Sequence, residues 1–317
     1  MQTKRTVTGR SRTAGAGAAV LALALAACLR AGEPAAAATP PLTKAPDGRP
    51  LQLTFADEFD SFRRFRNGQG VWRTTFRDGN DVFSKSGKDD FELRTLKWNK
   101  ELQLYVDPDM PGHAGPHGDH ETMAPMMHRP LGLDPFKVGG GTLTISVDRT
   151  PAALESQLGG FRYISGLITT QPSFHQQYGY FEMRAKLPRG KGIWPAFWLL
   201  PLDLSWPPEI DVMESIGDPS TVFVNAHSKV IKAQTKEVKV SPDDFHTYAV
   251  AWDRQNLTFF IDGRQVDRRP TPGDMHKPMY MLANVAVGGD WAGQPDASTR
   301  FPAGMTIDYI RAYRFAR

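Results

Sequence analysis

The chain has 317 residues, 38 Lys and Arg against 34 Asp and Glu, and a single cysteine. Its formal charge of +4 arises in the first 27 positions, where Lys4, Arg5, Arg10 and Arg12 stand without any acid; the rest of the chain is balanced. Neutrality excludes the basic surface that nucleic acid as a main partner would require, and one cysteine excludes any internal disulfide.

The basic start followed by the short apolar run from Ala14 to Leu29 predicts an export signal, too short to span a bilayer comfortably. Leu25-Ala26-Ala27-Cys28 resembles a bacterial lipobox, which predicts lipidation of Cys28 and attachment to an envelope membrane. The alternative is a secreted protein cleaved after the small residues Ala35 to Ala38. Positions 1–28 are thus read as signal, 29–50 as an Ala/Pro-rich linker, and 51–317 as one domain, expected to act as a monomer.

Leu51 to Phe55 opens with apolar alternation and predicts a first strand. Residues 61–91 are rich in Arg, Gly, Asp and Ser and predict a long surface loop carrying Trp72. Trp98 to Tyr105 alternates polar and apolar residues, predicting a strand whose polar face carries Asn99, Glu101 and Gln103. From Asp107 to Pro135 the chain is irregular and holds His113, His117, His120 and His128. It reads as a solvated insertion, with a metal site at His117, Asp119 and His120 as the alternative.

Beyond Gly139-Gly140-Gly141 the pattern becomes regular. Thr142 to Val147 alternates with period two. Similar runs follow at Tyr163 to Thr170, Tyr178 to Lys186, Gly192 to Leu200, Glu209 to Glu214, Val222 to Ser228, Thr247 to Trp252, Thr258 to Ile261, Met279 to Val287 and Met305 to Arg314. Turn residues such as Asp262-Gly263 punctuate them, and none carries a long helical repeat. The spacing predicts an all-β sandwich of two antiparallel sheets.

The densest chemistry lies in Glu209-Ile210-Asp211-Val212-Met213-Glu214, directly after Pro207-Pro208, which forbid a helix interior. In a strand, Glu209 and Asp211 share one face while Ile210 and Val212 take the other. Glu214 is out of phase, and one extra residue, a β-bulge around Val212-Met213, returns it to the acidic face. Two glutamates with an acid between them suit glycosidic bond hydrolysis, one attacking the anomeric carbon and the other feeding a proton to the leaving oxygen. Crowding of like charges raises at least one pKa and keeps an acid protonated near neutral pH. The bland alternative is an exposed strand face, which aligned like charges disfavour.

Sugar rings call for aromatic platforms and hydrogen-bonding partners, and both stand near the acids. Trp194 and Trp198 share one strand face and Phe197 takes the other; Trp206 is three residues before Glu209. These aromatics divide between cleft and core. Asn99, His227, Asn284 and Trp291 are further candidate substrate contacts, with a structural role for His227 as the alternative.

Taken together, these motifs resemble glycoside hydrolase family 16, the laminarinase and lichenase family. The family's E-x-D-x-x-E signature is met by Glu209, Asp211 and Glu214. Family blocks recur in order at A-D-E-F-D from Ala56, N-K-E-L-Q-L-Y from Asn99, Y-G-Y-F-E-M-R-A-K-L-P from Tyr178, G-I-W-P-A-F-W-L-L-P from Gly192 and I-D-Y-I-R-A-Y from Ile307, covering positions 51–315. Leu167 departs from the arginine that many laminarinases carry. The resemblance implies a concanavalin-like β-jelly roll with a concave substrate cleft, and a retaining mechanism with Glu209 as nucleophile, Glu214 as acid/base and Asp211 as assisting acid. It implies no cofactor for catalysis, but a structural calcium on the convex side, with Asp308 and, less directly, Glu58 as ligands. The expected activity is an endo-β-glycanase on β-1,3 and/or β-1,4 linkages of glucans or bacterial exopolysaccharide. A transglycosylase and a non-catalytic lectin-like binder are the alternatives.

Overall fold

A computed structural model describes residues 39–76, 94–113 and 126–316. Cys28 and the export signal lie outside them, as do His117, Asp119 and His120. The period-two runs are strands, because alternation lets one face pack on a partner sheet while the other faces away. In Thr142–Arg149 every second residue, Leu143, Ile145 and Val147, is fully buried.

Two sheets face one another. The inner sheet has six strands in the order Lys236–Lys239, Thr221–His227, Glu209–Glu214, Ile193–Pro201, Met279–Val287 and Leu167–Thr169. In the outer sheet the path runs Arg264–Pro270, Asn256–Ile261, His246–Trp252, Gly179–Lys186, Ala303–Phe315, Thr142–Arg149, Tyr163–Ser165 and Gln103–Tyr105. Leu51–Asp57 and Phe136–Gly139 also join the outer sheet, pairing with Ala303–Phe315 and Thr142–Arg149. One apolar core fills the space between the sheets, with Phe197, Ile210, Val212, Met213 and Met281 from the inner sheet meeting Ile145, Phe181, Met183, Val250 and Ile310 from the outer. The all-β jelly-roll expectation holds. One pairing departs from it: Gln103–Tyr105 and Tyr163–Ser165 run parallel.

Several local readings change. Trp72 is fully buried, donating its Nε1 to Asp57 Oδ2 at 2.9 Å and stacking on Phe59. Local composition marked its segment as surface, but an indole of this size is stable inside once its N–H finds an acceptor. The expected strand from Trp98 begins at Gln103, after a 3-10 turn over Lys97–Asn99. The insertion is not wholly irregular either: Pro111–His113 pairs with Met126–Pro130, and Met110 and Leu133 pack with Leu104, Val106 and Leu158.

Residues 39–50 are not a free linker. Ala45 is buried beside Leu51, Tyr180 and Tyr313. Leu42 donates its N–H to the Tyr313 hydroxyl, and Arg311 donates to the carbonyls of Thr39 and Pro40. These hydrogen bonds satisfy backbone groups that a linker would leave to water.

The expected calcium ligands both meet arginines. Asp308 Oδ2 accepts from Arg184 Nη1 at 2.6 Å, and both Glu58 oxygens are taken by Arg311, at 2.8 and 2.7 Å. In this structure Asp308 and Glu58 are therefore arginine partners, and a calcium ion, which takes six to eight oxygens, would have to share them with Arg184 and Arg311.

Candidate active site

The Glu209–Glu214 strand carries the acids because its register shifts. Against Ile193–Pro201, Asp211 faces Trp198 and Met213 faces Phe197, so Val212 is the extra residue. Against Thr221–His227, Asp211 faces Asn225 while Glu214 faces Phe223. Two consecutive residues, Val212 and Met213, therefore point into the core, both fully buried. That bulge, expected from the phase of the acids, turns Glu214 back to the face of Glu209 and Asp211.

All three acids line a cleft of about 570 Å³ over the inner sheet. Trp194, Trp198, Trp206, Asn99 and Asn284 line it with them. Trp206 Nε1 donates to Glu209 Oε2 at 2.6 Å, and Trp194 Nε1 donates to Glu214 Oε1 at 3.0 Å. Each glutamate is thus held by its own indole N–H, on opposite sides of the bulge. Trp198 is mostly covered; its Nε1 donates to Asn284 Oδ1, and Asn284 Nδ2 donates to the Tyr105 hydroxyl. These two residues form the floor of the cleft and hold each other in place.

Trp291 extends the wall beyond Trp194. It meets Trp194 edge-on with ring centroids 5.4 Å apart and Phe223 at 4.9 Å. The turn before it must be glycine: Gly288 and Gly289 have φ of 78° and 88°, and a Cβ on Gly288 would stand 2.6 Å from Leu102 Cγ. Such close approach at positive φ is open to glycine alone at little cost. His227 flanks Glu209 and Asp211, with Nε2 3.3 Å from Asp211 Oδ2 and its ring against Trp206.

Burial and mutual repulsion set the charges. Burial, then the Glu209 charge, pushes the Glu214 carboxyl up to about 8, against the pull of the Trp194 N–H. Glu209 is held well above the usual carboxyl range by burial first and then by Asp211, while His227 and the Trp206 N–H oppose this. Asp211 is raised by burial and the charge of Glu214, with His227 lowering it. The two neighbours therefore titrate as one unit with a shared proton. The Asp211 carboxylate lifts the His227 imidazole to about 9 despite its burial. Near neutral pH the raised Glu214 and His227 place a protonated acid and an imidazolium beside the Glu209–Asp211 pair.

Trp98 and Asn225 escaped the sequence reading as site components. Trp98 is 64% exposed and lies 5.3 Å from Trp206, making a double aromatic rim beside Glu209. In the sequence only its place next to Asn99 pointed toward it. Asn225 is buried opposite Asp211, its Nδ2 2.9 Å from His227 Nε2. Glu101 also lines the cleft, accepting from Asn99 and Gln103.

Comparisons with known proteins agree on one family. The family profile of "Glycosyl hydrolases family 16" matches residues 133–311. The chain is 40% identical over 269 residues to endo-1,3-1,4-beta-glycanase ExsH of Rhizobium meliloti (strain 1021), covering 83% of this chain and 52% of that protein. It is 32% identical to a beta-glucanase of Rhodothermus marinus, covering 74% of this chain and 84% of the relative. Among solved structures, the endo-beta-1,3-glucanase from Pyrococcus furiosus superposes with a TM-score of 0.67 at 26% identity, covering 88% of this chain and 99% of that one. The chain spans about half the length of the Rhizobium relatives it matches.

Proposed function

The chain belongs to glycosyl hydrolases family 16, and on that footing we propose that it is an exported endo-β-glycanase that hydrolyses β-1,3 or β-1,4 linkages of glucans or bacterial exopolysaccharide by double displacement. The observation that carries this reading is the pair of differently held glutamates on one bulged strand. Glu214 keeps its proton up to about pH 8 and is ready to give it to the leaving glycosidic oxygen. Glu209 shares one proton with Asp211; with that proton on Asp211, Glu209 is the ionised nucleophile that attacks the anomeric carbon. The His227 imidazolium and the Trp206 N–H stabilise its charge.

In the second step Glu214, now ionised, takes a proton from water, which displaces Glu209 with retention of configuration. Retention requires the two carboxyls about 5–5.5 Å apart. Trp98 and Trp206 give sugar-stacking faces beside the nucleophile, Trp194 and Trp291 beside the acid, so a chain is gripped on both sides of the cut. The names of the relatives, beta-glucanases and endo-1,3-1,4-beta-glycanases, support a β-linked glycan as substrate.

The test is oligosaccharide release from laminarin, lichenan, agarose, carrageenan and native bacterial exopolysaccharide, with the anomer followed by NMR. Glu209→Gln is expected to lower hydrolysis of the cleaved glycans about a thousandfold or more, and the wild type to release the β anomer first. Undiminished hydrolysis by Glu209→Gln, or release of the α anomer, overturns the mechanism.

A further inference from the structure

Glu209, Asp211 and His227 each offer one donor atom, and the three atoms lie within 4.8 Å of one another. They come from two adjacent strands at the register where Glu209 faces His227. The 3.3 Å between His227 Nε2 and Asp211 Oδ2 is about the edge of a tetrahedron with ~2.0 Å metal–ligand bonds.

A second observation is independent of this clustering. Asp211 is 2% exposed, and its Oδ2 makes no hydrogen bond. Buried carboxylate oxygens are almost always satisfied. Here the oxygen without a hydrogen bond is the one turned toward His227 Nε2, itself a metal-ligating atom 3.3 Å away.

We propose that Glu209, Asp211 and His227 form a binding site for a divalent transition metal ion, with Zn²⁺ as the type, and that the bound ion blocks hydrolysis by holding the nucleophile as a ligand. One imidazole with two carboxylates selects zinc, cobalt, nickel or copper over calcium and magnesium, which prefer oxygen donors alone. The Trp206 N–H on Glu209 Oε2 orients that ligand from outside. The three ligands bind an ion only when deprotonated, so its binding is pH-dependent and releases protons. Asn225 Nδ2, 2.9 Å from His227 Nε2, is the contact that the ion displaces.

Titration of the full chain with Co²⁺ at neutral pH tests this without reference to hydrolysis. The expected result is a visible d–d band saturating at one ion per chain, abolished by excess Zn²⁺. Binding should weaken about tenfold or more in both Glu209→Gln and His227→Gln, each verified as folded by its tryptophan fluorescence; Glu209→Gln alone suffices should His227→Gln not fold. In parallel, Zn²⁺ should inhibit glycan hydrolysis competitively, with EDTA restoring it. No cobalt band, or a band unchanged in the folded variants because other donors such as the histidines at 113–128 bind the ion, overturns the proposal. A protein that binds cobalt as described but cleaves no glycan keeps the metal site and loses the glycanase reading.

Discussion

Both sheets bury glutamates, and the two cases differ in what surrounds the oxygens. On the outer sheet Glu182 is 3% exposed, and burial raises its pKa. Each of its oxygens has a donor: the Tyr309 hydroxyl reaches Oε1 and the Tyr180 hydroxyl reaches Oε2, both at 2.9 Å. Arg311 adds a positive charge nearby, and the 39–42 segment is hydrogen-bonded to Arg311 and Tyr313 at the same patch. On the inner sheet three carboxyls share one strand face, open onto a cleft, repel one another and leave Asp211 Oδ2 unmatched. Burial and a raised pKa are common to both. What separates a reactive site from a structural one is access together with incomplete satisfaction.

The largest effect should come from shifting the strand phase after the bulge. Inserting an alanine between Met213 and Glu214 moves Glu214 one position along the strand and turns it toward the core, and hydrolysis should fall by roughly 10²–10⁴-fold, the share of a general acid. Met213→Ala keeps the residue count and should cost about 2–5 kcal/mol of stability while leaving the acid in the cleft. Assays of both variants on one glycan, with urea unfolding beside them, separate the two effects. An insertion variant as active as Met213→Ala would break the comparison.

A smaller effect is expected on the outer sheet. Glu182→Leu removes the acceptor of two buried tyrosine hydroxyls and should destabilise by about 1–3 kcal/mol, read by urea unfolding. The folded fraction should retain its kcat/KM. A loss of kcat/KM without loss of stability would make Glu182 part of the site and dissolve the distinction.

Most strands were legible because alternation reports directly on a sheet with one buried face. The bulge was legible for a related reason: three acids on one face demand a phase change, and only an inserted core residue supplies it. Trp72 was not, since its burial depends on Asp57 and Phe59, which lie outside the polar segment that carries it. The docking of residues 39–50 was hidden likewise, because Arg311 and Tyr313 lie at the opposite end of the chain. The arginine partners of Asp308 and Glu58 were hidden too: nothing in the pattern around either residue says that Arg184 and Arg311 reach them. Trp98 was hidden by being read as a strand start, although it stands beside Asn99, and only the approach of the Trp206 loop makes it part of the rim.

The central claim, that Glu214 is the proton donor of a two-glutamate site, is tested most directly by the Glu214→Ala variant on two substrates across pH. An activated aryl β-glycoside needs no proton on its leaving group, so its cleavage should persist while glucan hydrolysis falls by roughly 10²–10⁴-fold. The wild type, whose Glu214 pKa is raised to about 8, should lose kcat/KM on glucan as pH rises through that value; the variant on the aryl glycoside should show no such loss. Equal loss on both substrates, or the same alkaline fall in the variant, would contradict the assignment.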